Sequence, residues 1–419
     1  MRFIEGKFED GNAQLIRVIS LGILSFQGFG IRIFENIFSG AIVLWTVILL
    51  FLNYKNFFKL NAKIFLRFFF FIIFYFAFCL IKRSPPRLYL LAAWLSSLII
   101  LSNYLQIGNS FSKDLYKLTK FCVFYSLLHI PIMMLFKSSL ISTTFNMNPK
   151  TFLYLFYFNK DDGFLGLPRI QGFAWEPSCW NLLLNINVLL ALYFKKGKYQ
   201  IMASIFSVIS VMSTTGLSAL VIVLCLYSFV FDSKESNKYR FIYILLLFTL
   251  TPFIYANLQD KLSIGSGMQR LGDINVASAI MDSNPFLGAN VNDLKMNKIA
   301  IRAKEETWGD TYGDFEGYMD QGITNAVAGL FIEWGIVLAL IFIFFLFKNP
   351  LFPDKRLRIV FAIVLLVVLL GTPILNTGFV FISILSYYLM PAEFQEKRKR
   401  YIKYLNIKKH GNIYHNRYI

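Results

Sequence analysis

Charged residues make up only 16% of this 419-residue chain, histidine occurs three times and cysteine four times, and each shortage excludes something. A soluble globular chain carries about 25% charged residues to stay dispersed, so soluble enzymes, nucleic-acid binders and disordered scaffolds are set aside. His129, His410 and His415 are too dispersed for a metal cluster, and neither HExxH nor CxxC spacing occurs. There is no GxxxxGK[ST] loop, which argues against nucleotide hydrolysis. Cys79, Cys122, Cys179 and Cys225 all lie in hydrophobic runs, so no disulfide framework is expected. Neither a cofactor nor a metal is expected.

What the chain has instead is apolar bulk: 56% of its residues are hydrophobic, Phe alone supplies 46, and the mean hydropathy is +0.55. About 20 apolar residues cross a bilayer as a helix. Windows of that kind fall near residues 14–31, 36–53, 64–81, 88–107, 118–136, 173–194, 199–214, 216–231, 240–256, 322–347, 357–371 and 372–390. The expectation is an all-α fold, a single polytopic membrane domain over 1–419 built from about 12 transmembrane helices. The opening MRFIEGKFEDGNAQ carries no cleavage site and reads as a retained signal-anchor.

The net charge of +18 orients this bundle. Lys55, Lys59 and Lys63 follow the second span, Lys113, Lys117 and Lys120 the fourth, and Lys195, Lys196 and Lys198 the sixth. Lys234, Lys238 and Arg240 follow the eighth, and Lys348, Lys355, Arg356 and Arg358 the tenth. Cytoplasmic loops retain positive charge, so both termini are expected on the cytoplasmic side. The basic tail 391–419 is a topology determinant or a dock for anionic lipid or a partner. One loop dissents, because Lys82, Arg83 and Arg87 would lie outside. The long polar segments, about 137–172 and 257–321, both land outside. The second holds ten acidic residues against six basic ones. Its apolar islands, with Trp308, Tyr312, Phe315 and Tyr318, suit a short helical lid over the outer face.

The densest polar cluster is RIQGFAWEPSCW at 169–180, which runs from the first outer segment straight into an apolar helix. Pro177 suits the first helical position, which sets Glu176 beside the positive end of the helix dipole. Arg169 lies upstream, and Glu176, Cys179, Trp180, Leu183 and Asn187 share a helical face, with Asn185 nearby. Either Glu176 caps a helix and pairs with Arg169, or the cluster handles a substrate, since polar groups within a membrane are costly and tend to be functional. Ser213, Thr214, Thr215, Gly216 and Ser218 mark an outer turn that permits close helix packing. Glu333 stands about 15 Å into its span and is expected to face the bundle interior, as a structural hydrogen-bonding group or a substrate ligand, with Asn325 and Gly329 on the same stripe. Arg270, in GSGMQRLGD, and the turn SNPFLGAN complete the set.

Taken in order, Arg169 with Gly172, Phe173, Glu176, Pro177 and Ser178; Ser213, Thr214, Gly216 and Ser218; Arg270 with Pro285 and Gly288; and Asn325, Glu333 and Gly335 resemble the site pattern of the bacterial O-antigen polymerase and ligase superfamily, which includes capsule and exopolysaccharide polymerases. The resemblance spans residues 169–335, and the first five spans share only its hydropathy. It implies a multi-pass protein of the bacterial inner membrane that acts from the bilayer on undecaprenyl-diphosphate-linked oligosaccharide at the outer face, without nucleotide or metal. It also leaves room for a chain-length regulator protein. Ligases of this superfamily carry a His-Asn pair after the long loop; here the pair reads Thr324-Asn325, which favours a polymerase over a lipid A core ligase.

The catalytic residues expected on this reading are Arg169 and Arg270, whose planar guanidinium forks match a departing diphosphate. Glu176 is the expected general base, with Glu333 second. Trp175, Ser178, Asn187, Ser213, Thr214 and Asn325 are the expected substrate-binding residues. Trp175, Trp180 and Trp308 either stack on sugar faces or anchor the interface. A lipid-linked oligosaccharide flippase is the transporter alternative, but it would have short loops and a site near the midplane. A polytopic transferase using a single lipid-phosphate sugar would need acidic residues in the first outer loop, which here is a few residues around Arg32 and Glu35.

Overall fold

The structure, a computed structural model, describes residues 11–29, 38–105, 109–143, 149–162, 167–231, 252, 266–289, 297–303, 323–374, 377–390 and 396. The helices are α1 (Gly11–Phe29), α2 (Phe38–Phe57), α3 (Ala62–Ile81), α4 (Leu88–Tyr104), α5 (Phe111–Leu135), α6 (Pro177–Tyr193), α7 (Lys198–Ser210), α8 (Thr214–Val230), α9 (Ser266–Ser283), α10 (Ala326–Lys348), α11 (Lys355–Leu369) and α12 (Gly378–Leu389). Every apolar window except the ninth overlaps one described helix. Nearly all of that window, the expected signal-anchor before Gly11, the loop around Arg32 and Glu35, the residues from Trp308 to Tyr318 and nearly all of the basic tail lie outside the described residues.

Among the described residues, α3, α5 and α10 are long and apolar enough to cross a membrane. Others are shorter: α7 has 13 residues and α12 has 12, about 20 Å or less against a hydrocarbon core of about 30 Å. Helix lengths therefore support a membrane protein but do not establish twelve complete crossings. The surface agrees with lipid contact. Phe51, Phe69, Phe70, Phe124, Met134 and Leu340 are all more than half exposed, a burden of outward apolar surface that water would not tolerate. Helix α6 lies at the opposite extreme, with every residue from Pro177 to Leu192 buried among α5, α7, α8 and α11.

The two ends of the bundle differ in what closes them. At one end Asn56 Nδ2 donates to Asn103 Oδ1 at 2.6 Å, Ser386 Oγ donates to Asn349 Oδ1 at 2.9 Å, and Tyr116 meets Phe194 edge-on at 5.6 Å. These contacts gather the basic stretches after α2, α4, α6 and α10 at one level. The same end holds a buried ion pair: Arg17 Nε donates to Asp114 Oδ2 at 2.7 Å, with the side chains 6% and 1% exposed. Gln14 Nε2 and Tyr104 OH also donate to Asp114, at 2.9 and 3.2 Å. Burying a carboxylate is tolerable only with such saturation.

At the other end the chain departs from an all-α fold. After α5, strands β1 (Ile141–Ser142), β2 (Lys150–Phe152), β3 (Phe156–Asp162) and β4 (Pro168–Ile170) form an antiparallel sheet in sequence order, with Thr151 opposite Tyr157 and Phe158 opposite Ile170. The aromatics of β3 suit a pleated, half-buried strand. Phe156 stacks on Tyr125 of α5 at 5.6 Å, and the His129 ring lies edge-on between Phe156 and Phe158, at 5.0 and 5.1 Å.

Helix α10 is broken. At Gly335 the backbone adopts φ 70°, ψ 170°, so the bond a continuous helix would form between Ile336 N–H and the Ile332 carbonyl is replaced. Ala289 N–H donates to Ile332 O at 2.7 Å, and Ile336 N–H donates to Pro285 O at 2.8 Å. The SNPFLGAN turn thus fills the break and satisfies both freed groups. A Cβ on Gly335 would lie 2.3 Å from Phe286 O, and one on Gly288 2.2 Å from Ile332 O, so both glycines are required by the approach of backbone to backbone.

Replacing Asp114 with alanine strands a buried guanidinium and is expected to cost about 3–5 kcal/mol. Thermal unfolding in detergent measures this; an unchanged midpoint would show that the pair contributes nothing to stability.

Candidate functional site

Glu176 is the N-cap of α6 with Pro177 at N1, as the EPS element leads one to expect, and its side chain does not bond the helix end. It is half-buried. β4 delivers the chain to this point, with Arg169 half-buried on that strand. Gly172 then turns with φ +63°, where a Cβ would strike the Trp180 indole at 2.3 Å. Trp180 is fully buried, donates from Nε1 to Ser126 Oγ at 2.7 Å and stacks near Phe26. The structure therefore makes it a core residue, not a sugar platform. Trp175 remains half-buried beside Glu176.

Arg270 reaches the same place from α9. Its Nη2 donates to the Gly371 carbonyl at 2.7 Å. Burial pushes the guanidinium below its ordinary pKa, while the nearby Glu176 and Asp273 carboxylates pull it back up. Gly371 in turn lies against Thr215, where an added Cβ would come within 2.6 Å of the Thr215 hydroxyl. The STTGL turn is thus drawn to the same point: Ser213 caps α8 by accepting from Gly216 N–H, and Thr214 is buried. On α6, the Asn181 amide packs against Gly216, and Asn185 Nδ2 donates to Gly216 O at 3.0 Å. Ser178 Oγ and both amide atoms of Asn181 are buried with no hydrogen-bond partner among the described residues. Four segments far apart in sequence therefore converge on one carboxylate, one guanidinium and these open hydroxyl and amide groups.

Asp273 holds this arrangement together. It is fully buried, and its Oδ2 accepts from Thr324 N–H at 2.9 Å, Thr324 Oγ1 at 2.6 Å and Asn325 N–H at 2.9 Å. A carboxylate at the start of α10 also complements the helix dipole. Asn325, expected to bind substrate, is the N-cap of α10 and accepts from Val327 and Ala328 N–H at 3.1 and 3.0 Å. The sequence marks Asp273 only by its third place after Arg270 in one helical turn.

Two expected site residues lie elsewhere. Asn187 is buried deeper on α6, where Nδ2 donates to Thr119 Oγ1 at 3.0 Å and Oδ1 accepts from Ser204 at 2.7 Å. Its amide ties three helices together. Glu333 does not face the bundle interior. Its Oε1 accepts from Arg87 Nη1 at 2.8 Å, and the Lys82 ammonium donates to its backbone carbonyl. These contacts set Glu333, two residues before the break at Gly335, level with the α3–α4 loop. Two of the three cations of that loop, Lys82 and Arg87, thus lie against Glu333. Burial pushes the Lys82 pKa down to about 8, with Glu333 opposing the shift.

Comparison with protein-family models, curated proteins and solved structures finds no match to this chain.

Substituting Asp273 with alanine leaves three donors at the start of α10 without their acceptor, at a cost of about 3 kcal/mol. Hydrogen exchange should accelerate at the Thr324 and Asn325 amides; unchanged protection would show that Asp273 does not hold α9 to α10.

Proposed function

We propose that this chain polymerises undecaprenyl-diphosphate-linked oligosaccharide repeat units into O-antigen, capsular or exopolysaccharide chains. It would do so by glycosyl transfer at the outer face of a bacterial inner membrane, with both termini in the cytoplasm. The observation that carries the reading is that Arg270, fixed to Gly371 from a polar segment, lies within electrostatic reach of Glu176 at the start of a buried apolar helix.

Glycosyl transfer from a lipid diphosphate forms a bond between an acceptor hydroxyl and the anomeric carbon of the donor and breaks the bond from that carbon to the diphosphate oxygen. Negative charge builds on the leaving phosphate. Arg270 is suited to receive it: its Nη2 is fixed by Gly371 and it is largely withdrawn from water, where a cation acts more strongly on a developing anion. Arg169 is the second candidate for that charge. Glu176 takes the proton of the acceptor hydroxyl, and Ser178, Asn181 and the Ser213–Thr215 turn offer hydrogen bonds to sugar hydroxyls. Glu333, engaged with Arg87, drops from general base to a role outside this cluster. Thr324 in place of the ligase histidine, with its hydroxyl held by Asp273, favours polymerase over ligase.

In cells lacking the gene, surface glycan should be capped by a single repeat, and the wild-type chain should restore a ladder. Arg270→Lys keeps the charge but loses the fork, and should cut polymer formation by about 100-fold or more. A full ladder from that variant removes Arg270 from the site. Long polymer stranded on the lipid carrier in the deletion strain would point to a ligase, and single repeats trapped on the cytoplasmic face to a flippase.

A further inference from the structure

A second cluster lies apart from the Arg270–Glu176 site, about 12 Å further along α10 by the rise between Asn325 and Glu333. Here the α3–α4 loop faces the break in α10 across a cleft of about 200 Å³, lined by Tyr75, Phe78, Lys82, Arg87, Glu333 and Trp334 among others. Two cations and one carboxylate line it, so the ion pair between Arg87 and Glu333 leaves a net positive charge. Hydrogen-bond donors are also in excess. Trp334 is 3% exposed, and its indole N–H has no acceptor among the described residues. The Tyr75 hydroxyl already receives Arg87 N–H at 2.8 Å. The walls are aromatic, with Phe78 stacked on Trp334 at 5.5 Å and Tyr75 beside it at 5.8 Å. Leu88, next to Arg87 in the chain, and Phe286, whose backbone meets Gly335, are 72% and 68% exposed, apolar surface next to the cleft residues of the kind that suits a hydrocarbon tail.

We propose that this cleft binds the phosphate head of a membrane amphiphile, with the head on Lys82, Arg87 and Trp334 and the tail along this apolar surface. An ammonium and a guanidinium supply charge-assisted hydrogen bonds to phosphate oxygens, and the loop between α3 and α4 places them level with the exposed ends of apolar helices, where lipid headgroups lie. Glu333 competes with the phosphate for Arg87 and so sets the affinity. The site requires nothing of the polymerase reading and stands or falls apart from it.

The test is native mass spectrometry of the purified protein in detergent, titrated with phosphatidylglycerol, undecaprenyl phosphate, diacylglycerol and inorganic phosphate. Tight binding by at least one of the two phosphate lipids is expected, and the preference between them identifies the tail. Lys82→Gln should weaken that binding about tenfold, while Glu333→Gln, which removes the competing carboxylate and is nearly isosteric, should tighten it severalfold. Equal binding of diacylglycerol, or inorganic phosphate binding as tightly as the lipids, would overturn the proposal. So would Glu333→Gln binding no tighter than wild type. The ligand competition on the wild-type chain supports or overturns the site even where a variant fails to fold.

Discussion

The exchange of backbone hydrogen bonds at Gly335 is the constraint on which the sheet-bearing end of this bundle depends. A helix that breaks within an apolar environment must rehouse the groups it frees, because an unsatisfied carbonyl or N–H there costs several kcal/mol. Here the partners come from residues 285 and 289, immediately after α9. That turn is anchored by the break, and α9 is consequently laid along the first part of α10. Val276, Ala277 and Ile280 of α9 pack with Ala328 and Ile332 of α10 in a small core separate from the main one. Asp273 fastens the other end of this pairing at Thr324 and Asn325. Arg270 is brought to Gly371, within electrostatic reach of Glu176, because the helix carrying it is pinned at both of these points.

The chemistry follows from where charge is permitted. Among the described residues, the charges withdrawn from water sit at the two ends of the bundle, each with a counter-ion or a set of donors. Asp114 is saturated by Arg17, Gln14 and Tyr104, and Asp273 by the start of α10, so both act structurally. Arg270 differs: its carboxylate neighbours offset only part of the cost of burial, and the first turn of α6, which begins at one of them, Glu176, carries hydroxyl and amide atoms with no partner among the described residues. Polar capacity left open beside a desolvated cation is what a substrate rich in hydroxyls and carrying phosphate would use.

Much of this was legible in the sequence, for reasons that also explain the failures. Apolar runs of span length report helices well, because a chain in lipid has to satisfy its backbone internally; α1 through α8 and α10 through α12 lie where the hydropathy places them. EPS marked the start of α6 through the chemistry of Pro177. Averaged over a span-length window the 150–170 segment reads as polar loop, which hides the sheet, although Phe156 and Phe158 stand two apart, as residues on one face of a strand do. Helical periodicity grouped Trp180 and Asn187 with Glu176, but it could not distinguish the face toward the site from the face toward α5. Hydropathy does not register a backbone break and so runs Glu333 into one continuous span facing the interior; Gly335 is the signal the sequence offers. Charge counting treats every cation as solvated, so it does not anticipate that Lys82 and Arg87 lie against Glu333.

The most direct measurement is a reconstitution. Purified protein in liposomes is supplied with a single undecaprenyl-diphosphate-linked repeat and with neither nucleotide nor divalent metal, and both glycan length and free undecaprenyl diphosphate are followed. The account predicts a ladder of lengths, with one undecaprenyl diphosphate released for each repeat added. A repeat that stays single while the protein remains folded would contradict it.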